Sequence, residues 1–452
     1  MTKNKHAAPV TIFWFRRDLR LHDNHGLFQA LKENKNVLPI FIFDTNILNQ
    51  LEDKYDRRLD FIHQALQALQ TELISHGSDL MCLHGSPMEA FKQLIATHEI
   101  DAVYCNHDYE KYGIDRDDAI KSLLLTHHIK FHSFKDQVVF EKGEVVKDDG
   151  LPYTVFTPYS RKWKARLSAA DYAEYNSSAY FNHFYKTSCG VLPSLKSLGF
   201  TKTDMQFNKS ITVSKLLLEK YKSQRDIPSL PGTSKLSVYL RFGVVSIRDL
   251  VRLSLPVSET WLNELIWREF YMMILWHFPH VANKSFKPNY DRIQWLQDEE
   301  GFEKWCQGKT GFPMVDAGMR ELNTTGFMHN RVRMIVSSFL VKDLLVDWRW
   351  GEAYFAKKLN DFDFSANNGG WQWAAGCGCD AAPYFRIFNP SEQQKKFDPE
   401  FKYIKHWIPE FGTSNYPAPM LDHAEARKRT LAHYKKALTE HQVPDLFEAL
   451  TD

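Results

Sequence analysis

Short apolar runs at residues 10–15, 37–43, 79–83 and 102–105 read as buried strands, and residues 26–33, 57–75, 88–97 and 114–126 between them carry helical spacing. That alternation predicts βαβ units around a doubly wound parallel sheet. From about 142 to 231 the pattern breaks into Gly-, Pro-, Ser- and Lys-rich pieces with one clear amphipathic helix, 211–221, as for a connector with little core. Beyond residue 232 nearly every segment has helical spacing: 247–253, 259–276, 300–307, 315–324, 330–348, 351–358 and 424–438. The expected fold class is therefore α/β + all-α. A Rossmann-like domain spans 8–135, a connector 136–210, and an all-helical domain 211–445, with no internal repeat or low-complexity segment.

Composition narrows this picture. With 452 residues, 44% of them hydrophobic and 25% charged, the chain can bury large cores and is not a disordered or collagen-like polymer. No apolar run reaches the roughly 20 residues of a bilayer span, and the first ten residues lack the apolar segment of a secretory signal, so a cytoplasmic protein is expected. Six cysteines without a CxxC pair fit a reducing compartment and no metal site. Lys plus Arg number 57 against 55 for Asp plus Glu, so a polyanion must be met by local clusters. Ten of the twelve tryptophans lie between 261 and 407, which sets the two halves apart.

No GxGxxG follows the first apolar run, where the chain reads Arg16-Arg17-Asp18-Leu19-Arg20, so a dinucleotide site of the usual kind is not expected there. In the second half, Glu264 with Trp267 and Arg268 share one helical face, as either a buried ion pair beside a core indole or part of a site. Asn330, Arg331, Arg333 and Met334 open an apolar helix, and their polar groups need partners from a ligand or from neighbouring loops. The stretch from Asp361 to Trp373 sets two carboxylates, two amides and two glycines before a Trp-x-Trp pair; a flat aromatic ligand or an aromatic turn closing the core would each account for it. Gly232-Thr-Ser-Lys-Leu-Ser237 reads as a phosphate-holding loop or an ordinary helix start. Arg161 and Lys162, and Lys395 with Lys396, form small basic clusters suited to phosphates or to a solvated face.

Taken together, residues 13–24, 261–271, 311–333, 367–390 and 415–420 resemble the photolyase and cryptochrome family, and most of all class I cyclobutane pyrimidine dimer (CPD) DNA photolyases. The resemblance implies an antenna domain followed by a helical domain holding FAD. It implies that Tyr221, Thr233, Ser234, Leu236, Ser237, Trp261, Glu264, Arg268, Asn330, Arg333, Asp361, Asp363 and Asn367 hold the cofactor, with Asp361 paired to Arg333 and Asn367 facing flavin N5. Glu264, Trp267, Asn330, Met334 and Trp373 would form the lesion pocket. Trp371, Trp348 and Trp295 would relay electrons, and Arg161, Lys162, Trp267, Arg331, Trp373 and Lys395 would bind DNA.

The function implied is light-driven repair of cyclobutane pyrimidine dimers by a deoxyribodipyrimidine photo-lyase, a monomer acting on UV-damaged DNA without a membrane. The segment 106–117 resembles the family's antenna region, where methenyltetrahydrofolate, 8-hydroxy-5-deazaflavin or an empty site all remain open. The chain departs from the family at Phe327, Val238, Cys377 and Cys379; the cysteines lie close enough to the flavin segment to tune it. The rivals are a cryptochrome-type blue-light photoreceptor, a six-four photoproduct enzyme, and a flavin oxidoreductase or plain DNA-binding module. The complete lesion pocket and a tail that stops soon after the last helix weigh against the photoreceptor, and the Met328-His329-Asn330-Arg331 pattern against the six-four enzyme.

Overall fold

The computed structural model describes residues 9–439, so residue 8 and residues 440–445 of the expected domains lie outside the described residues. Five parallel strands form one sheet: β1 (Val10–Phe15), β2 (Val37–Asp44), β3 (Met81–Gly85), β4 (Ile100–Asn106) and β5 (Lys130–Phe134), in the order β3-β2-β1-β4-β5. β1 and β2 are buried at every position, as continuous apolar strands covered on both faces must be. Trp14 pairs in register with Ile40, and Phe13 with Tyr104. β3 starts two residues later than its apolar run suggests. The edge strand β5 was not anticipated, because Lys130, His132 and Ser133 break its apolar pattern.

By packing, the described chain divides into two compact units. The first comprises residues 9–144, 163–214 and 235–265, and the second 145–162, 215–234 and 266–439. In the first unit the helix Ile247–Ser254 is tied to the sheet region by buried charges. Arg248 donates to Asp23 at 2.9 Å and to Asp136 at 2.8 Å, and Arg20 donates to Asp136 at 2.8 Å. Burial alone would raise the Asp136 carboxyl, but Arg20 and Arg248 more than offset it and hold it at about 2. The stretch expected to carry little core buries Trp163, Phe184, Leu192, Leu198 and Phe200, and it contains a helix, Phe156–Arg166, that its composition concealed.

The second unit is helical around a core that includes Trp305, Met319, Val336, Leu340, Trp348 and Trp371. The single helix expected over 330–348 is in fact three pieces. Asn330–Ser338 runs into a π-helical turn, Phe339–Asp343, and a new helix, Trp348–Lys358, begins where Asp347 accepts from the Arg349 N–H at 3.0 Å. The turn carries a fully buried lysine. Lys342 Nζ donates to the Ala375 carbonyl at 3.0 Å and lies 3.7 Å from the ring centroid of Tyr434, whose hydroxyl donates to the same carbonyl at 2.9 Å. The last helix, His423–Thr439, is docked by these contacts. Among the described residues no helix is long and apolar enough to cross a membrane, and no group of three His, Cys, Asp or Glu could hold a metal ion.

Candidate cofactor and lesion site

The stretch before the Trp-x-Trp pair is not a turn but a helix, Phe364–Ala375, capped by Asp363, which accepts from the Ala366 N–H at 3.3 Å and from the Ser365 hydroxyl at 2.5 Å. Of its two glycines, Gly369 is there for close approach, since a Cβ on it would lie 2.2 Å from the Tyr271 ring, whereas one on Gly370 would meet open space. Asn367 Nδ2 donates to the Glu352 carbonyl at 3.1 Å. Helical geometry sends the two tryptophans apart. Trp371 is buried against Gly351, where a Cβ would meet its ring at 2.1 Å, with Phe355 edge-on at 5.0 Å. Trp373 is half-buried and lines a pocket with Tyr271, Phe286, Gln372, Cys379 and Asp380. Burial pushes the nearby Cys377 and Cys379 thiols up to about 12 and about 11, so both stay neutral.

Facing this helix region, Arg333 donates from Nη2 to both oxygens of Asp361, at 3.2 and 3.0 Å, and from Nε to the Met328 carbonyl at 2.8 Å. His329 starts the helix Asn330–Ser338 by accepting from the Arg331 N–H at 3.2 Å. Burial lowers its imidazole to about 4, leaving it neutral. Asn330 is exposed and Met334 half-buried. Arg331 is turned to Asp226 at 2.9 Å, with its guanidinium 4.3 Å from the Phe397 ring centroid.

The helix Glu259–His277 supplies Trp267 and Arg268, both half-buried. Trp267 is stacked on Phe156, with centroids 3.7 Å and planes 5° apart. Tyr221 is buried in the helix Lys215–Gln224, and Thr233 and Ser234 are half-buried in the loop beyond it. Leu236, Ser237, Trp261 and Glu264 are grouped by packing with the first unit: Leu236 and Trp261 are buried, Glu264 is half-buried and Ser237 is exposed. Ser237 begins a five-residue helix whose cap has no side-chain hydrogen bond.

Of the three proposed relay tryptophans, Trp371 and Trp348 are core residues, while the half-buried Trp295 meets Tyr434 edge-on at 6.0 Å. Arg161, Lys162 and Lys395 are exposed; Lys162 pairs with Asp148 at 2.9 Å and Lys395 with Glu392 at 2.7 Å. Sequence reading overlooked Phe156, Tyr271 and Glu352, since none stands in a polar cluster or at a telling spacing.

Two polar atoms near these residues are left for a ligand to meet. His329 Nε2 and Glu352 Oε1 are shielded and have no hydrogen-bond partner among the described residues. They lie on the elements that carry Asn330 and that pack on Asn367, so a ligand with ring nitrogens and carbonyls has groups to meet.

Comparison with known proteins agrees. The family described as "FAD binding domain of DNA photolyase" matches residues 261–415, and "DNA photolyase" matches residues 11–176. The chain is 36% identical to the deoxyribodipyrimidine photo-lyase of Synechococcus sp., over 97% of this chain and 100% of that protein. Its structure resembles the class III photolyase of Agrobacterium tumefaciens (TM-score 0.85, 32% identity, 95% and 98% of the two chains). It also resembles an archaeal photolyase from Sulfolobus tokodaii solved with two FAD molecules (TM-score 0.80, 33% identity, 94% and 100%). On fold, site composition and near full-length likeness alike, the chain belongs to the DNA photolyase family.

Proposed function

We propose that this protein uses blue light to split cyclobutane pyrimidine dimers in DNA, as a class I enzyme of its family. The observation that supports it most is Trp267, a half-buried indole held flat by Phe156 on the helix that also carries Glu264 and Arg268. Bound FAD, in its reduced form, supplies one electron on excitation. Every other task falls to the chain. Arg333 and Asp361 brace each other, and Asn367, whose Nδ2 donates to the Glu352 main-chain carbonyl, would hold its carbonyl oxygen for the flavin edge. An Asn there would hydrogen-bond the ring without supplying the acidic proton an Asp would, which favours a fully reduced, anionic flavin as the working state.

The dimer is flipped from the duplex, and its weak stacking makes that cheaper than extruding a normal pair. Trp267 and Trp373 pack on it, Glu264 and Asn330 hydrogen-bond its polar edges, and Met334 closes one side. Glu264 stabilises the negative charge that develops on the dimer in a water-poor site. Arg161, Lys162 and Lys395 meet backbone phosphates. The class I assignment rests on segments 261–271, 311–333 and 367–390. A second chromophore would sit at the carboxyl ends of the strands, where Arg17 pairs with Glu110 at 2.8 Å and with Asp108 at 3.3 Å.

The test is illumination of the reduced, FAD-loaded protein with dimer-containing DNA while restored thymine is measured. Restoration that Glu264→Ala and Trp267→Ala each weaken is expected. Lesion binding without light-dependent restoration would instead support the blue-light photoreceptor reading.

A further inference from the structure

The helix Asn330–Ser338 starts against a buried acid that has no task in the reaction just described. Glu321, on the helix Pro313–Thr325, accepts at Oε2 from the His329 main-chain N–H at 3.3 Å and from the Tyr403 hydroxyl at 2.6 Å. Tyr403 is buried on the helix Lys402–Trp407, and burial together with the Glu321 carboxylate pushes its phenol well above the ordinary value, so it keeps the proton that it donates. His329 passes the constraint on. Its Nδ1 accepts from the Arg331 N–H at 3.2 Å, and its carbonyl accepts from the N–H groups of Val332 at 2.9 Å and Arg333 at 3.0 Å. Asn330 stands between these fixed points.

The support is itself anchored. Asp398 is buried at the end of the helix Pro390–Phe397, which carries Lys395, and it accepts from the Tyr403 and Ile404 N–H groups at 3.0 Å each. The corner formed by residues 390–407 therefore grips the helix start twice, with Phe397 against the Arg331 guanidinium and with Tyr403 through Glu321.

We propose that Glu321 and Tyr403 are positioning residues for lesion recognition: the phenol holds the carboxylate, the carboxylate holds the His329 N–H, and the helix start so fixed presents Asn330 and Met334 to the dimer. This rests on the reading of Asn330 and Met334 above. Neither Glu321 nor Tyr403 touches the dimer. A helix start ordered before the lesion arrives takes that ordering out of the cost of binding.

The experiment uses the FAD-loaded full chain in the dark and compares wild type with Tyr403→Phe, Glu321→Gln, Glu321→Leu and the double variant Glu321→Leu/Tyr403→Phe. Anisotropy gives the affinity for dimer-containing and for undamaged DNA, urea unfolding gives stability, and hydrogen exchange reports the amides of residues 329–332. Tyr403→Phe should weaken dimer-containing DNA on the order of three- to tenfold, leave undamaged DNA alone and speed exchange at those amides. Glu321→Gln keeps an acceptor oxygen and should stay within about twofold of wild type. Glu321→Leu strands the phenol, and the double variant removes that stranded group, so stability should rise again from one to the other. Lesion affinity should stay low in both, because the His329 N–H is still unheld; a merely structural pair would recover the two together. Unchanged discrimination between the two DNAs in Tyr403→Phe, a Gln variant as weak as Leu, or lesion affinity that returns with stability in the double variant would overturn the proposal. An Asn330→Ala variant that discriminates as wild type does would overturn the reading of Asn330 instead. If the Leu variants fail to fold, Tyr403→Phe and Glu321→Gln still decide.

Discussion

Phe156 lies flat beneath Trp267, 3.7 Å away and 5° from parallel, and the backbone N–H of Phe156 is in turn fixed by Asp380 Oδ2 at 3.0 Å. The indole is thus supported from behind by a residue outside its own helix. Stacked pairs contribute about 0.5–1.5 kcal/mol beyond the area they bury. Phe156→Ala is expected to weaken binding of dimer-containing DNA about two- to tenfold with FAD content unchanged, as read by fluorescence anisotropy and absorbance. Equal affinity in both proteins would show that Trp267 needs no such backing.

Arg333 and Asp361 form a partly buried pair, with side-chain exposures of 27% and 8%. Asp361→Asn leaves the guanidinium with a neutral partner in a poorly solvated place. A loss of about 1–3 kcal/mol is expected, together with faster release of FAD. Denaturant unfolding and gel-filtration retention of yellow colour check both effects.

Gly351 has no room for a methyl group, since Trp371 and Leu340 side-chain atoms would lie 2.1 and 2.6 Å from it. Gly351→Ala should cost about 1–3 kcal/mol through overpacking. It should also displace the Trp371 ring and slow light-driven reduction of oxidised FAD. Transient absorption separates this from a purely structural loss, because Gly143→Ala, at a site with open space around it, should leave the kinetics alone.

Lys342 is buried without a carboxylate, and desolvation lowers its ammonium from 10.5 to about 7. Between those values the unfolded chain binds more protons than the folded one, so stability rises with pH from about 7 to about 10.5, and below 7 the penalty is constant. The slope attributable to one such group is at most about 1.4 kcal/mol per pH unit. Lys342→Met should flatten it, as urea unfolding across that range would reveal. An identical slope in the variant would mean that other groups carry it.

The parallel sheet is legible because β1 and β2 are continuous apolar runs and the helix Arg57–Ser75 beside them keeps a helical period. β5 was hidden because an edge strand need not be apolar, and Phe156–Arg166 because four of its eleven residues are Lys or Arg. The run 330–348 looked like one helix because its apolar spacing continues through the π turn. The break lies in the backbone, with Leu345 at φ +55°, and in the Asp347 cap. At the site, the Arg333–Asp361 pair followed from resemblance and not from spacing, since 28 residues separate them. The positions of Phe156 and Glu352 depend on which helices pack together, which no local pattern records.

The docking of Lys342 and Tyr434 on the Ala375 carbonyl has a mechanical consequence. The last helix is geared to the end of the very helix that bears Asn367 and Trp371. Whatever tugs on that terminal segment, be it a fused tag, a protease nick or a binding protein, pulls a lever whose other arm reaches the photochemistry.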